Sequence, residues 1–419
     1  MAIERPIPAI ALLLLAGAAS AAPFEVESFR LSPSHPRVLL APRETDDATL
    51  LILFSAGSFD DGERSGLTRL AQHLLVEGSE HIAYEDLRKR IFAAGGELTL
   101  ETGVRESSFT LTADPVAFPR LAELFLRMIF SPKIDPNAFS FARKRAMHDE
   151  ARPGREATVL SLVASHLYDD FRYRNELYGS QDVELLSPEE ALQHIASRMT
   201  PARATVIATG RFDPHGLKKQ LSRYTGGDPS APDVSHPNLP LKLHIKKNQE
   251  LYLVGYRTKL TDPKDVAILR MVAALLEDRI RSEFRKEGIG MVPSVFAVHR
   301  SWLDFFVVYC PLPSGSQTSI ARARIEEAIA KLRRGELKKN EFERNQAYLL
   351  KLFAERDRTS LALAEELAAG GGTLEWFSPK VVEELRAMTK LSLLSSIALE
   401  EPAAFQISFS PNPSRTGAP

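Results

Sequence analysis

Apolar residues along this chain fall into two kinds of run, and the two kinds alternate. Strand-length stretches at 50–54 and 251–256 each open one half of the sequence. Each is followed by a longer segment at helical spacing, 66–77 in the first half and 262–286 in the second. Strand-like runs come next, 97–101 and 107–112, then 294–299 and 305–310. Helical segments at 115–130 and 137–151 are matched by 319–333 and 339–353. Each half closes on a helix and a strand: 188–197 with 205–209, and 390–397 with 405–409. The halves are offset by about 200 residues. At that offset Phe141 aligns with Phe342, and Met199-Thr200-Pro201 falls near Glu401-Pro402. The pattern predicts an α+β fold of two homologous domains, each a mixed or antiparallel sheet packed with helices.

Composition adds boundaries. Residues 226–240 are rich in Gly, Pro, Ser and Asp and lose all periodicity, so they read as a linker between domains at 24–225 and 241–410. Residues 411–419 read as a flexible tail. At the other end Glu4 and Arg5 precede an apolar run from Ile10 to Ala16, with Ala19 and Ala21 in an A-x-A pattern. That predicts a signal peptide over 1–21, cleaved after Ala21, and an exported, periplasmic protein. The run is too short to span a bilayer comfortably, so membrane attachment is expected only if the signal stays uncleaved. With 53 Lys and Arg against 54 Asp and Glu, nothing favours nucleic acid or an anionic membrane as partner. The single Cys310 cannot form an internal disulfide and lies in an apolar β-like run, which predicts a buried structural thiol.

Candidate chemistry sits in the helical segment that begins at Gly66. An inverted zinc motif, H-x-x-E-H, places two His on one helical face and a Glu that activates water. Here that register reads Arg69-Leu70-Ala71-Gln72-His73. One ligand position holds Arg69, the base position holds Gln72, and His73 remains.

The order of features along the chain resembles the pitrilysin/insulinase family of inverzincin metallopeptidases in its short, processing-peptidase-like form. The resemblance is carried by Ala56-Gly57-Ser58, Gly66-Leu67, the altered motif, Gly78-Ser79, Tyr84 with Leu87, Gly95-Gly96, Glu150 and Tyr178-Gly179. It implies a half clam-shell chamber, zinc as family cofactor, and a distal Glu completing the metal site. Glu150 stands at that spacing, while the position of a supporting acidic residue two helical turns earlier is Arg143. The resemblance also implies an Arg and a Tyr, seven apart, that grip substrate backbone; Arg285 is in place, with Val292 where the Tyr would be.

Zinc fits this set poorly. A guanidinium offers no lone pair and repels a divalent cation, and Gln72 cannot accept a proton. The expectation is that the family zinc is lost and that Arg69 bridges Glu150 in its place. His81 lies beyond Gly78-Ser79, where the helix should end, and His148 is about 200° around a helix from Glu150. Gly370-Gly371-Gly372 reads as a loop. The function expected is a non-catalytic peptidase homologue that forms a heterodimer with an active paralogue and binds peptides. The alternatives are an active metalloendopeptidase with an altered site and a peptide-binding scaffold without such a partner.

Overall fold

The computed structural model describes residues 25–148, 155–175, 180–229, 241–246, 251–258, 262–300, 303–312, 317–356, 359–369, 378–396 and 405–410. The proposed signal peptide, Glu150, Tyr178-Gly179, Gly370-Gly371-Gly372, Glu401-Pro402, the tail and most of the linker lie outside the described residues.

The first half forms a six-stranded sheet from β1 (Glu27–Phe29), β2 (Arg37–Pro42), β3 (Ala48–Phe54), β4 (Glu97–Thr102), β5 (Ser107–Ala113) and β6 (Ala204–Gly210). Its helices are α1 (Leu67–Glu77), α2 (Tyr84–Ala93), α3 (Phe118–Phe130), α4 (Phe139–His148), α5 (Arg155–Leu167), α6 (Ser180–Val183), α7 (Pro188–Arg198) and α8 (Pro214–Leu221). The second sheet contains β7 (Leu241–Lys246), β8 (Leu251–Arg257), β9 (Ser294–Arg300), β10 (Leu303–Pro311) and β11 (Phe405–Ser410). Its helices are α9 (Pro263–Lys286), α10 (Gln317–Arg333), α11 (Lys339–Arg356), α12 (Ser360–Ala369), α13 (Ser378–Ala387) and α14 (Lys390–Ser396).

The two sheets repeat one topology. Their orders are β1-β2-β6-β3-β5-β4 and β7-β11-β8-β10-β9. In each, a single parallel pair (β2 with β6, β7 with β11) joins strands that otherwise run antiparallel. The duplicated α+β architecture expected from the sequence is the one observed. The side-chain match at Phe141 and Phe342 goes less deep: Phe141 is 47% exposed and Phe342 is buried. In α4 the inward aromatic is Phe139 instead.

Central strands are apolar along their whole length because both of their faces are covered. Leu50, Ile52 and Phe54 of β3 face a core shared with α1 and α3, whereas Leu51 faces Leu363, Ala364 and Leu367 of α12. In the second sheet Tyr252, Val254, Phe306 and Val308 join the core of α9. The other face, with Leu253, Phe305 and Val307, meets Val159, Val163 and Leu167 of α5. Each half therefore lends a helix to the opposite half's sheet.

Helix ends are set locally. Ser187 and Glu190 make a capping box at α7, with Glu190 N–H donating to Ser187 Oγ at 3.2 Å and Ser187 N–H to Glu190 Oε2 at 2.7 Å. Asp262 caps α9 ahead of Pro263 by accepting from Asp265 N–H. No described helix is long and apolar enough to cross a membrane. Cys310 is fully buried, and burial pushes its thiol up to about 12, which fits packing and not nucleophilic chemistry.

Candidate functional site

The site begins with the entry into α1. Gly66 takes φ 93°, a left-handed turn that favours glycine, and its own N–H points back at Asp61. Asp61 accepts from Gly66 N–H at 2.7 Å, Thr68 N–H at 2.7 Å and the Thr68 hydroxyl at 2.6 Å, so an earlier carboxylate satisfies the helix's first amides. Thr68 Oγ1 also lies 2.9 Å from Gly57 O and 3.1 Å from His194 Nε2. A hydroxyl carries one proton, so where Thr68 gives it to Gly57 O or to Asp61, the bond to His194 is donated by His194 Nε2–H.

These buried groups titrate in opposite senses. Burial is the main force raising Asp61 to about 7, against the opposing hydrogen bonds from Thr68 and Gly66. Burial likewise lowers His194 to about 3, with Arg198 adding to the effect. Folded Asp61 holds a proton that the unfolded chain releases from its model value of 3.8 upward, so its contribution to stability falls as pH rises to about 7. Unfolded His194 gains a proton below its model value of 6.5 that the folded state refuses until about 3, so its contribution falls as pH drops. Where the windows overlap, the two slopes cancel. His194→Gln, which can keep the N–H to Thr68, removes one of them. Urea unfolding should show the variant's stability relative to wild type falling by about 1.4 kcal/mol for each pH unit of increase between about pH 4 and 5.5, and levelling off above about 6.5. A pH-independent difference would mean that His194 is charged in the fold.

Further along α1, Arg69, Gln72 and His73 are all buried where the helix packs against α4 and α7. Gln72 is clamped. Its amide donates to Glu101 O at 3.2 Å and Ser108 O at 3.0 Å, and its carbonyl accepts from the Thr102 hydroxyl at 2.6 Å. One helix side chain thus braces β4 and β5.

His73 Nδ1 lies 3.1 Å from Glu77 Oε1, and Arg145 Nε of α4 lies 3.8 Å from the same oxygen. The Glu77 side chain is only 2% exposed, and its Oε2 is buried without a hydrogen-bond partner. The Arg145 guanidinium rests over the rings of Tyr84 and Phe141, at 5.5 and 5.7 Å. Arg69, His73 and Glu77, each four residues from the next, occupy one face of α1.

The remaining predicted positions are dispersed. Arg143 donates to Glu184 O at 3.3 Å and stacks on Phe139 at 5.5 Å. Arg285 is exposed in the last turn of α9, in the second half of the chain. His81 lies beyond the end of α1 at Glu77, 2.8 Å from Ser131 O. Glu77 falls outside the five-residue motif, although the same four-residue step that links Arg69 to His73 leads to it. Asp61, Thr68 and His194 belong to no motif either. Asp61 and Thr68 are close in sequence, but His194 joins them only through the fold.

Two family profiles match the chain. The one described as Insulinase (Peptidase family M16) covers residues 37–181, and the one described as Peptidase M16 inactive domain covers residues 186–349. Among solved structures, a protease from Helicobacter pylori superposes with a TM-score of 0.77 at 13% identity, over 93% of this chain and 100% of that one. A peptidase M16 inactive domain from Pseudomonas fluorescens gives 0.72 at 14% identity, over 93% and 98%. The periplasmic protease PqqL from Escherichia coli gives 0.69 at 13% identity, with 98% of this chain covering 49% of that one. At these identities the likeness is one of fold. No curated protein matches the chain in sequence. The two profiles together span most of the chain, and its duplicated sheets are those of the solved M16 half-chambers: the chain belongs to the insulinase family of peptidases, M16.

Proposed function

We propose that this chain is a non-catalytic half of a peptidase chamber, paired with an active member of the same family and supplying chamber wall and peptide-binding surface. The observation that carries the reading is the state of Gln72. The residue at the general-base position has both amide protons and its carbonyl oxygen engaged by β4 and β5, so it is a structural brace that can neither take nor direct a proton. The donor set does not suit the family's zinc either. Arg69 occupies one ligand position with a buried guanidinium, and the one imidazole left in the motif has its Nδ1 against Glu77. On this reading Arg69 pairs with Glu150 in the space that metal fills elsewhere in the family, and Arg285 is a peptide contact of the second domain.

Pairing is supported by size. This chain spans about half of the PqqL protease, as expected of one of two halves that close a chamber. The 1–21 segment supports export to the periplasm, with domains at 24–225 and 241–410 about the 226–240 linker.

The test uses this chain, an intact-motif paralogue from the same organism, and their mixture, each assayed for peptide cleavage and bound zinc. Cleavage by the mixture about tenfold above the paralogue alone, with no stoichiometric zinc in this chain, is the expected result. Chelator-sensitive cleavage by this chain alone would instead mark an active peptidase with an altered site. No cleavage gained on mixing would leave a peptide-binding scaffold.

A further inference from the structure

Helix α3 carries a stripe of side chains along the edge of the core, exposed except for the half-buried Leu124. Val116 in the turn before it, then Arg120, Leu124 and Arg127, follow at helical spacing. Arg90 and Ala93 from the last turn of α2 face them across a surface groove of about 920 Å³. The frame between the two helices is held by Asp114, whose N–H donates to Ala94 O at 3.0 Å and whose carboxylate accepts from Val116 N–H at 2.8 Å.

Two properties of the groove require explanation. The first is apolar exposure. Val116, at 89%, is the most exposed large hydrophobic residue among the described ones. The second is unbalanced charge. Arg90, Arg120 and Arg127 are all exposed, and none forms an ion pair with a described residue. Glu123, the one acid among the lining residues, lies 3.7 Å from Arg223 instead, and the Asp114 carboxylate at the rim is taken by Val116 N–H. Arginines elsewhere on the described surface are commonly paired, as Arg64 is with Glu190, Arg324 with Glu287 and Arg344 with Asp278.

We infer that this groove docks an acidic segment of another protein, with carboxylates on the three arginines and an apolar side chain over Val116 and Leu124. Guanidinium forks suit carboxylates through paired N–H donors, and an apolar floor selects a peptide anchor that a simple polyanion lacks. The groove is built only from α2, α3 and the turn before α3. The inference therefore stands independently of whether the α1 site has lost catalysis.

The test uses the full chain and a short fluorescent peptide alternating glutamates with phenylalanine and leucine, read by anisotropy. Wild type binds it, and added salt weakens the binding. The Arg90→Glu/Arg120→Glu/Arg127→Glu variant binds at least about tenfold more weakly at an unchanged melting temperature, since all three side chains are exposed. Val116→Asp weakens it separately by removing the anchor. The inference is overturned if the charge-reversed variant binds equally well, or if a glutamine version of the peptide does. An oligonucleotide of matched charge binding as tightly would make the surface a general polyanion site. Self-association that the charge-reversed variant abolishes would make the occupant a second copy of this chain.

Discussion

Gln72→Glu restores the residue that the zinc motif calls for, yet it will destabilise this protein by about 2–4 kcal/mol and will not make it a peptidase. The wild-type amide gives both protons to main-chain carbonyls, of Glu101 and Ser108, and takes one from Thr102. A carboxylate at the same place keeps only the Thr102 bond. It turns an oxygen toward two carbonyl oxygens at a position 1% exposed, where water cannot compensate. Protonation relieves part of this, because a neutral carboxyl can donate to one of the two carbonyls. Burial and those carbonyls raise the new group's folded pKa above its unfolded value. The variant's deficit therefore grows as pH rises through that window and shrinks toward acid. Urea titrations at pH 5 and pH 8 measure both the loss and its direction. Zinc-dependent peptide cleavage by the purified variant would show that Arg69 leaves room for the metal after all.

Sequence and structure agree most closely where burial is strong and local. The runs at β3, β8 and β10 were legible because helices cover both faces of those strands, leaving no polar alternation to mask them. Helix α2 gives almost no apolar periodicity. It buries only Leu87 and Ile91 and presents charge nearly everywhere else. Helix α12 is hidden for the opposite reason: its Ser-Leu-Ala-Leu-Ala-Glu-Glu-Leu sequence is apolar on several sides and weakly periodic. Strand β7 follows directly on the linker and pairs only with β11, a sheet-edge position that demands little of its sequence. At the candidate site, the helix face bearing Arg69 and His73 was legible from spacing alone. The clamp on Gln72 was not, since its partners, two main-chain carbonyls and the Thr102 hydroxyl, belong to strands that begin some thirty residues later. Local pattern shows which residues share a face and is silent about what the fold brings against it.

Replacing Leu363 and Leu367 together by Ala will cost about 4–8 kcal/mol, and the damage will appear in the other half of the molecule. Both side chains are at most 2% exposed, and they pack on Leu39, Ala41, Leu51 and Ile207 of the first sheet. The contact is pinned by polar groups as well. Thr49 and Ser360 hydroxyls lie 2.6 Å apart, the Thr209 hydroxyl donates to Ser360 O at 2.6 Å, and Ser360 N–H donates to Asp47 at 3.3 Å. Gly210, at φ 89°, lets the chain pass so close to Ser360 that a Cβ there would meet it at 2.7 Å. Loss of the two leucines leaves this polar ring without its apolar centre and lays the outer face of β2, β3 and β6 open to water. Hydrogen exchange should therefore rise in those strands together with α12, although they precede the substitutions by well over a hundred residues in sequence. An increase confined to α12 would mean that the helix is only an ornament on the sheet. Because α5 makes the reciprocal contact on the second sheet, neither half can shed its borrowed helix without exposing an apolar face. Thermal unfolding of wild type and variant alike should then be a single transition shared by both halves. Cross-bracing of this kind fixes the two sheets relative to each other within the single chain; on the proposed pairing, that lets the rim meet a second chain without first paying to become rigid.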